Sequence, residues 1–145
     1  MKFKNLTIIL ALILALTSIS LTSALSCGDI ITQNTTLTKD LICSGTAITI
    51  DADNIVLDGN GHTIEGDRTG YGVSVMENTI IVVKNLKIRN FKEGISFIDD
   101  IFNSEVYNNV IERNQNGVSI IVFGTGNKIH DNEFRENARG VFISI

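Results

Sequence analysis

The sequence predicts an all-β solenoid, a stack of short strands wound into coils, and three observations carry that prediction. The last third repeats with a period of 23 residues: Gly94-Ile95-Ser96-Phe97 returns as Gly117-Val118-Ser119-Ile120 and again as Gly140-Val141-Phe142-Ile143. Upstream, Ile48 and Ile50, Ile55 and Leu57, Val73 and Val75, and Ile81 and Val83 alternate with other residues at period two. The segments are short, rich in Val, Ile and Thr, and broken by Gly, Asn and Asp, which disfavours helix throughout. A fixed period of this length means stacked units, none able to bury its apolar face alone.

The chain opens on a segment that does not belong to the stack. Lys2 and Lys4 give a positive start, Leu6 to Leu16 is apolar apart from Thr7, and Thr22-Ser23-Ala24 supplies small residues for cleavage. That layout predicts a signal peptide over residues 1–24 and a β domain over 25–145. The alternative is an uncleaved anchor, because the stretch to Leu25 is nearly long enough to span a bilayer. A lipoprotein processed at Cys27 fits less well, since Leu25-Ser26 lacks the usual order of small residues. Without Lys2 and Lys4 the mature chain keeps ten basic against sixteen acidic residues, a net charge near −6. This argues against nucleic acid or an anionic membrane as partner, and after cleavage no second stretch approaches a membrane span.

Cys27 and Cys43 follow directly, and in an exported chain a pair at this spacing predicts a disulfide. Each 23-residue unit then has room for about three strands, each pairing in parallel with its equivalent one unit away. Val106, Asn109, Ile111 and Asn114 return as Ile129, Asn132, Phe134 and Asn137, and their counterparts one step back are Val83, Leu86, Ile88 and Phe91. Asn109 and Asn132, and likewise Asn114 and Asn137, thus occupy columns that hold Leu and Phe earlier. They are expected to point inward or form turns, stacking as amide ladders along the axis.

The opening Cys27-Gly28, the Leu41-Ile42-Cys43 segment and the run Asn54-Ile55-Val56-Leu57-Asp58-Gly59-Asn60-Gly61-His62-Thr63-Ile64 are similar to the first coils of right-handed parallel β-helix proteins. The chain resembles the pectin-lyase-like superfamily, and within it the NosD-like periplasmic branch of copper-accessory proteins with Asn-rich coils. The resemblance spans Cys27 to Ile145 and implies a right-handed parallel β-helix of about four to five coils. It specifies function poorly, because the superfamily hosts lyases, hydrolases, epimerases, adhesins and non-catalytic surface proteins. Ser144-Ile145 falls inside a strand that has just begun a coil, which predicts a C-terminally incomplete domain or an open end that stacks on a partner.

In resembling enzymes the substrate lies across one parallel sheet, beside the longer loops that follow it. The matching column here is Thr49, Ser74, Ser96, Ser119 and Phe142, expected to be a solvated, smooth face without a base. Just beyond it, Glu77, Asp99 and Asp100 are the candidate catalytic residues, because carboxylates on neighbouring coils could serve as acid and nucleophile. They could instead hold Ca²⁺, although no Lys or Arg occupies the next equivalent loop, Val122-Phe123-Gly124-Thr125-Gly126. His62 sits in a turn and His130 on an outward strand position, in different columns. The only methionines are Met1 and Met76, so neither copper nor another transition metal is expected.

Lys84, Lys87, Arg89 and Lys92 are the one basic run and the candidate contact for an anionic polysaccharide or cell-surface glycan, with axial ion pairs to acidic residues of later coils as the plainer reading. Asn34-Thr35-Thr36 is a glycosylation acceptor pattern. The sequence therefore predicts a secreted, periplasmic or cell-surface β-helix module without catalysis, binding carbohydrate or serving structurally. The alternatives are a polysaccharide lyase or glycoside hydrolase, or an accessory protein for metal-enzyme maturation.

Overall fold

The computed structural model describes residues 24–121 and 124–144; the predicted signal segment up to Ser23, Val122, Phe123 and Ile145 lie outside them. Sixteen strands wind into a parallel β-solenoid of about five turns, with no helix among the described residues. The first turn holds β1 (Asp29–Ile31), β2 (Thr35–Thr36) and β3 (Leu41–Ile42). The second holds β4 (Ile48–Ile50), β5 (Val56–Asp58) and β6 (Thr63–Glu65), and the third β7 (Tyr71–Met76), β8 (Val82–Lys84) and β9 (Lys87–Arg89). The fourth has β10 (Glu93–Ile98), β11 (Glu105–Tyr107) and β12 (Val110–Glu112). The fifth has β13 (Asn116–Ile121), β14 (Lys128–His130) and β15 (Glu133–Arg135), and β16 (Arg139–Ser144) begins another. The first strands of successive turns form a six-stranded sheet A, the second strands a five-stranded sheet B and the third strands a five-stranded sheet C.

The register obeys the 23-residue period from β8 onward: Val83 pairs with Val106 and then Ile129, and Ile88 with Ile111 and then Phe134. Earlier turns are less regular, since Asp29 pairs with Ile48, 19 residues on, and Leu57 with Val83, 26 residues on. Between the sheets runs one apolar column in which Ile48, Ile50, Leu57, Val73, Val75, Ile81 and Val83 are all fully buried.

Each corner of the last three turns is built from two residues. The first takes a left-handed backbone: Ile80, Asn103 and Gly126 before sheet B, Asn85, Asn108 and Asp131 between B and C, and Asn90, Arg113 and Glu136 after C. Asn adopts this conformation more readily than most residues, which explains part of the Asn enrichment. The second residue turns inward, and here the expected ladders form. The Asn109 Oδ1 accepts from the Leu86 N–H at 2.9 Å, and the Asn132 Oδ1 accepts from the Asn109 N–H at 3.0 Å. The Asn109 Nδ2 donates to the Val83 carbonyl at 3.0 Å. Asn114 and Asn137 repeat the pattern beneath Phe91. A third row, missed by the sequence comparison, runs from the Ile81 N–H to the Ser104 Oγ and from the Ser104 N–H to the Asn127 Oδ1.

The Cys27–Cys43 disulfide forms, with Cα atoms 5.5 Å apart, and joins the segment just before β1 to the residue after β3. It closes the first turn into a ring. Replacing both cysteines by serine is expected to lower stability by about 3 kcal/mol on the chain-entropy account. Urea unfolding would show this as a lower midpoint at unchanged slope, and equal midpoints would rule the staple out as a stabiliser.

Candidate functional site

Glu77 and Asp99 follow Met76 and Ile98, which are partners in sheet A, so the two acids stand at the same corner of neighbouring turns. Both adopt left-handed backbone, and their N–H groups donate to the Ile98 and Ile121 carbonyls. Glu77, Asp99 and Asp100 are exposed. Among the described residues none of the three side chains has a hydrogen-bonded or ionic partner, and no His, Cys, Asp and Glu side chains are grouped so as to hold an ion. The geometry makes these positions bends that close sheet A.

The serine column departs from expectation. Thr49, Ser74, Ser96, Ser119 and Phe142 do stand in register. Their neighbours along the strands, such as Val73 and Val75 or Ile95 and Phe97, belong to the core, so the serines lie on the opposite side of each strand. Yet Ser74, Ser96 and Ser119 are buried, not solvated. The carboxylate of Glu93, itself buried, accepts from the Ser96 Oγ at 2.6 Å, while the Ser119 Oγ has no partner. The Glu93 carboxylate is thus the one side-chain partner of this column among the described residues.

The four cations of the basic run fall on two sheets and a corner. Lys84, on β8, pairs with Asp58 one turn earlier at 3.3 Å, and that hydrogen bond raises the lysine above its ordinary range. Burial lifts the Asp58 carboxyl, but hydrogen bonds from Asn85, Asn60 and Lys84 outweigh it and hold the group low. Arg89, on β9, lies between Glu65 at 2.7 Å and Glu112 at 3.8 Å, and its hydrogen bond is the main reason Glu65 sits below the usual carboxylate range. Lys87 and Lys92 stay exposed, with no ion-pair partner among the described residues. Lys87 borders a hollow of about 350 Å³ on sheet C, shared with Thr63, Ile88, Arg89, Val110, Glu112 and Arg135.

On sheet B the axial contacts continue through Tyr107, whose ring stacks on that of His130 at 5.4 Å and 7°. The His130 ring also touches Asp131 at 2.8 Å and Glu105 at 2.9 Å, and these carboxylates, Asp131 first, raise its pKa. His62, three turns earlier, meets Asp40 at 3.0 Å. Asn34 is exposed next to β2 and its Oδ1 accepts from the Val56 N–H, which leaves the nitrogen that a glycan would modify outward.

Sequence reasoning missed a hollow of about 770 Å³ at the corner between sheets C and A. Arg68, Arg113, Gln115, Glu136 and Ala138 form its walls, over a floor that includes the buried Phe91 and Asn114. Its signal in the sequence was Arg113 standing where Asn90 stands one period earlier.

Stacked parallel sheets, internal amide ladders and a stapled first turn define a disulfide-bonded parallel β-solenoid protein. Residues 16–145 match the family model described as periplasmic copper-binding protein (NosD), and the chain belongs to that family. The family is periplasmic, and the disulfide fits an oxidising compartment. No helix among the described residues is long and apolar enough to cross a membrane. No curated protein and no solved structure matched the chain.

Proposed function

We propose that the chain is an exported, non-catalytic solenoid module that holds a glycan along its flank. The observation that carries this reading is the division of its polar groups. The amides serve the ladders, and Lys84 and Arg89 serve axial ion pairs. Exposed cations without such partners among the described residues, Lys87 and Arg68, line open hollows instead. Export follows from the N-terminal segment and the family's compartment. Stacking of a further coil on the fifth turn belongs to the same proposal, since Val141 and Ile143 of β16 are 42% and 59% exposed.

A polysaccharide lyase or hydrolase is the second reading. Adjacent parallel strands lie about 4.8 Å apart, so the backbones of Glu77 and Asp99 are close enough for their carboxyl groups to reach the separation of about 5–5.5 Å that retaining glycosidases use. Release of reducing or unsaturated ends from a polysaccharide panel with added Ca²⁺ separates the two. The wild type is expected to release none while still being retained by the polysaccharide. Release abolished in the triple variant Glu77→Gln, Asp99→Asn, Asp100→Asn would establish the enzyme instead.

The family description also carries copper, and the donors present fit it poorly. Both cysteines are in the disulfide, both histidines are engaged with carboxylates, and Met76 is the one methionine among the described residues. A maturation role, if served by this chain, would rest on its shape and not on ligation by these residues.

A further inference from the structure

The corner hollow between sheets C and A differs from the rest of the surface in its cations. Arg113 uses its Nε to meet Glu136 at 3.0 Å, which raises the arginine pKa and fixes the plane of the guanidinium. Glu136 engages that one nitrogen, and the terminal nitrogens have no acceptor among the described residues, so the fork is oriented and still has donors to offer. Arg68 is exposed and makes no ion pair among the described residues. It belongs to the second turn and Arg113 to the fourth, so they are separated along the axis by about 9–10 Å, twice the strand spacing. Gln115 adds an exposed amide between them and the fifth turn, and its N–H donates to the Phe91 carbonyl one turn below. A hollow of about 770 Å³ falls within the usual volume of ligand sites. The Asn114 and Asn137 amides of its floor are committed to the ladder and present a fixed surface.

We propose that this groove binds a carboxylate-bearing polysaccharide strand lying along the solenoid axis. One acid group docks on Arg68, a second on the free edge of Arg113, and Gln115 takes a hydroxyl. The proposal rests on the glycan-binding reading above and assigns it a ligand class and a place. The stacked Tyr107 and His130 rings are a poorer platform, because rings stacked along the axis turn only their edges outward.

The test is affinity electrophoresis of the whole chain in gels holding polygalacturonate, a neutral glucan or polyphosphate, with Arg68→Gln, Arg113→Gln, Arg68→Lys and Lys87→Gln beside the wild type. Retention by polygalacturonate alone is expected, weakened about tenfold in either Gln variant, the scale of one lost charged hydrogen bond. Arg68→Lys should keep most of it, Lys87→Gln should weaken it less than either arginine-to-glutamine change, and added salt should weaken it throughout. Circular dichroism confirms that each variant is folded. Equal retention by neutral glucan, or stronger retention by polyphosphate, would overturn the ligand class. Retention lost in Lys87→Gln but kept in both arginine variants would overturn the place while leaving the glycan reading intact. No retention by any polysaccharide would overturn both.

Discussion

Gly94→Ala is expected to lower the unfolding temperature by about 10 °C. A Cβ at Gly94 would lie 2.6 Å from the Gly117 carbonyl oxygen, 3.0 Å from the Ile111 Cγ2 and 3.1 Å from the Asn114 Nδ2. The first of these atoms is backbone in the middle of sheet A and cannot rotate away. Either the turns separate locally or β10 shifts its register, at about 3 kcal/mol, the upper end of overpacking costs. At roughly 3–4 °C per kcal/mol for a domain of this size, the midpoint falls as stated. Gly140→Ala is the internal control, because its added carbon would meet only Phe134 ring and Cβ atoms at 3.7–3.8 Å, which is ordinary contact. Equal melting of the two variants would show that close approach is not why glycine stands in this column.

The Asn109→Leu variant should lose about 3 kcal/mol, although leucine occupies the same column one turn earlier at Leu86. The Asn109 side chain satisfies the Leu86 N–H and the Val83 carbonyl, both in the buried interior. Leucine would leave both groups without partners, and each buried orphan costs roughly 1–3 kcal/mol. The added apolar burial offsets only part of that. Hydrogen exchange localises the effect: the Leu86 amide should lose protection relative to neighbouring amides of β8 and β9. Unchanged stability together with full protection at Leu86 would remove the ladder from the account of stability.

The period made most of the fold legible. Val83, Leu86, Ile88 and Phe91 pair or align with their 23-residue successors because parallel stacking demands equivalent side chains at equivalent places. Ser104 and Asn127 escaped notice because their row begins at Ile81 and mixes three residue types, though a hydroxyl and an amide oxygen do the same work there. The serine column was placed correctly and its burial was not, since period two decides which side of a strand a residue takes and says nothing about how exposed that side is. The Arg68 and Arg113 groove was illegible for another reason. Arg68 lies in the irregular Gly66–Gly70 stretch, where Asp67 accepts from Ser44 and Thr69 and the fixed period fails. The ion pairs of Lys84 and Arg89 turn on axial neighbours 23–26 residues away, which a run read along the chain cannot show.

The corner ladders also have a direction. Every amide or hydroxyl oxygen in them reaches back to an N–H of the turn before, so a turn is completed by its successor and never by itself. The solenoid therefore behaves like a one-way ratchet in which each layer proofreads the layer beneath it. An error at a vertex is registered one turn upstream of the altered residue. A layer laid on Asn127, Asn132 and Asn137, from whatever chain it comes, matches the stack only if it brings an oxygen acceptor to each of three corners.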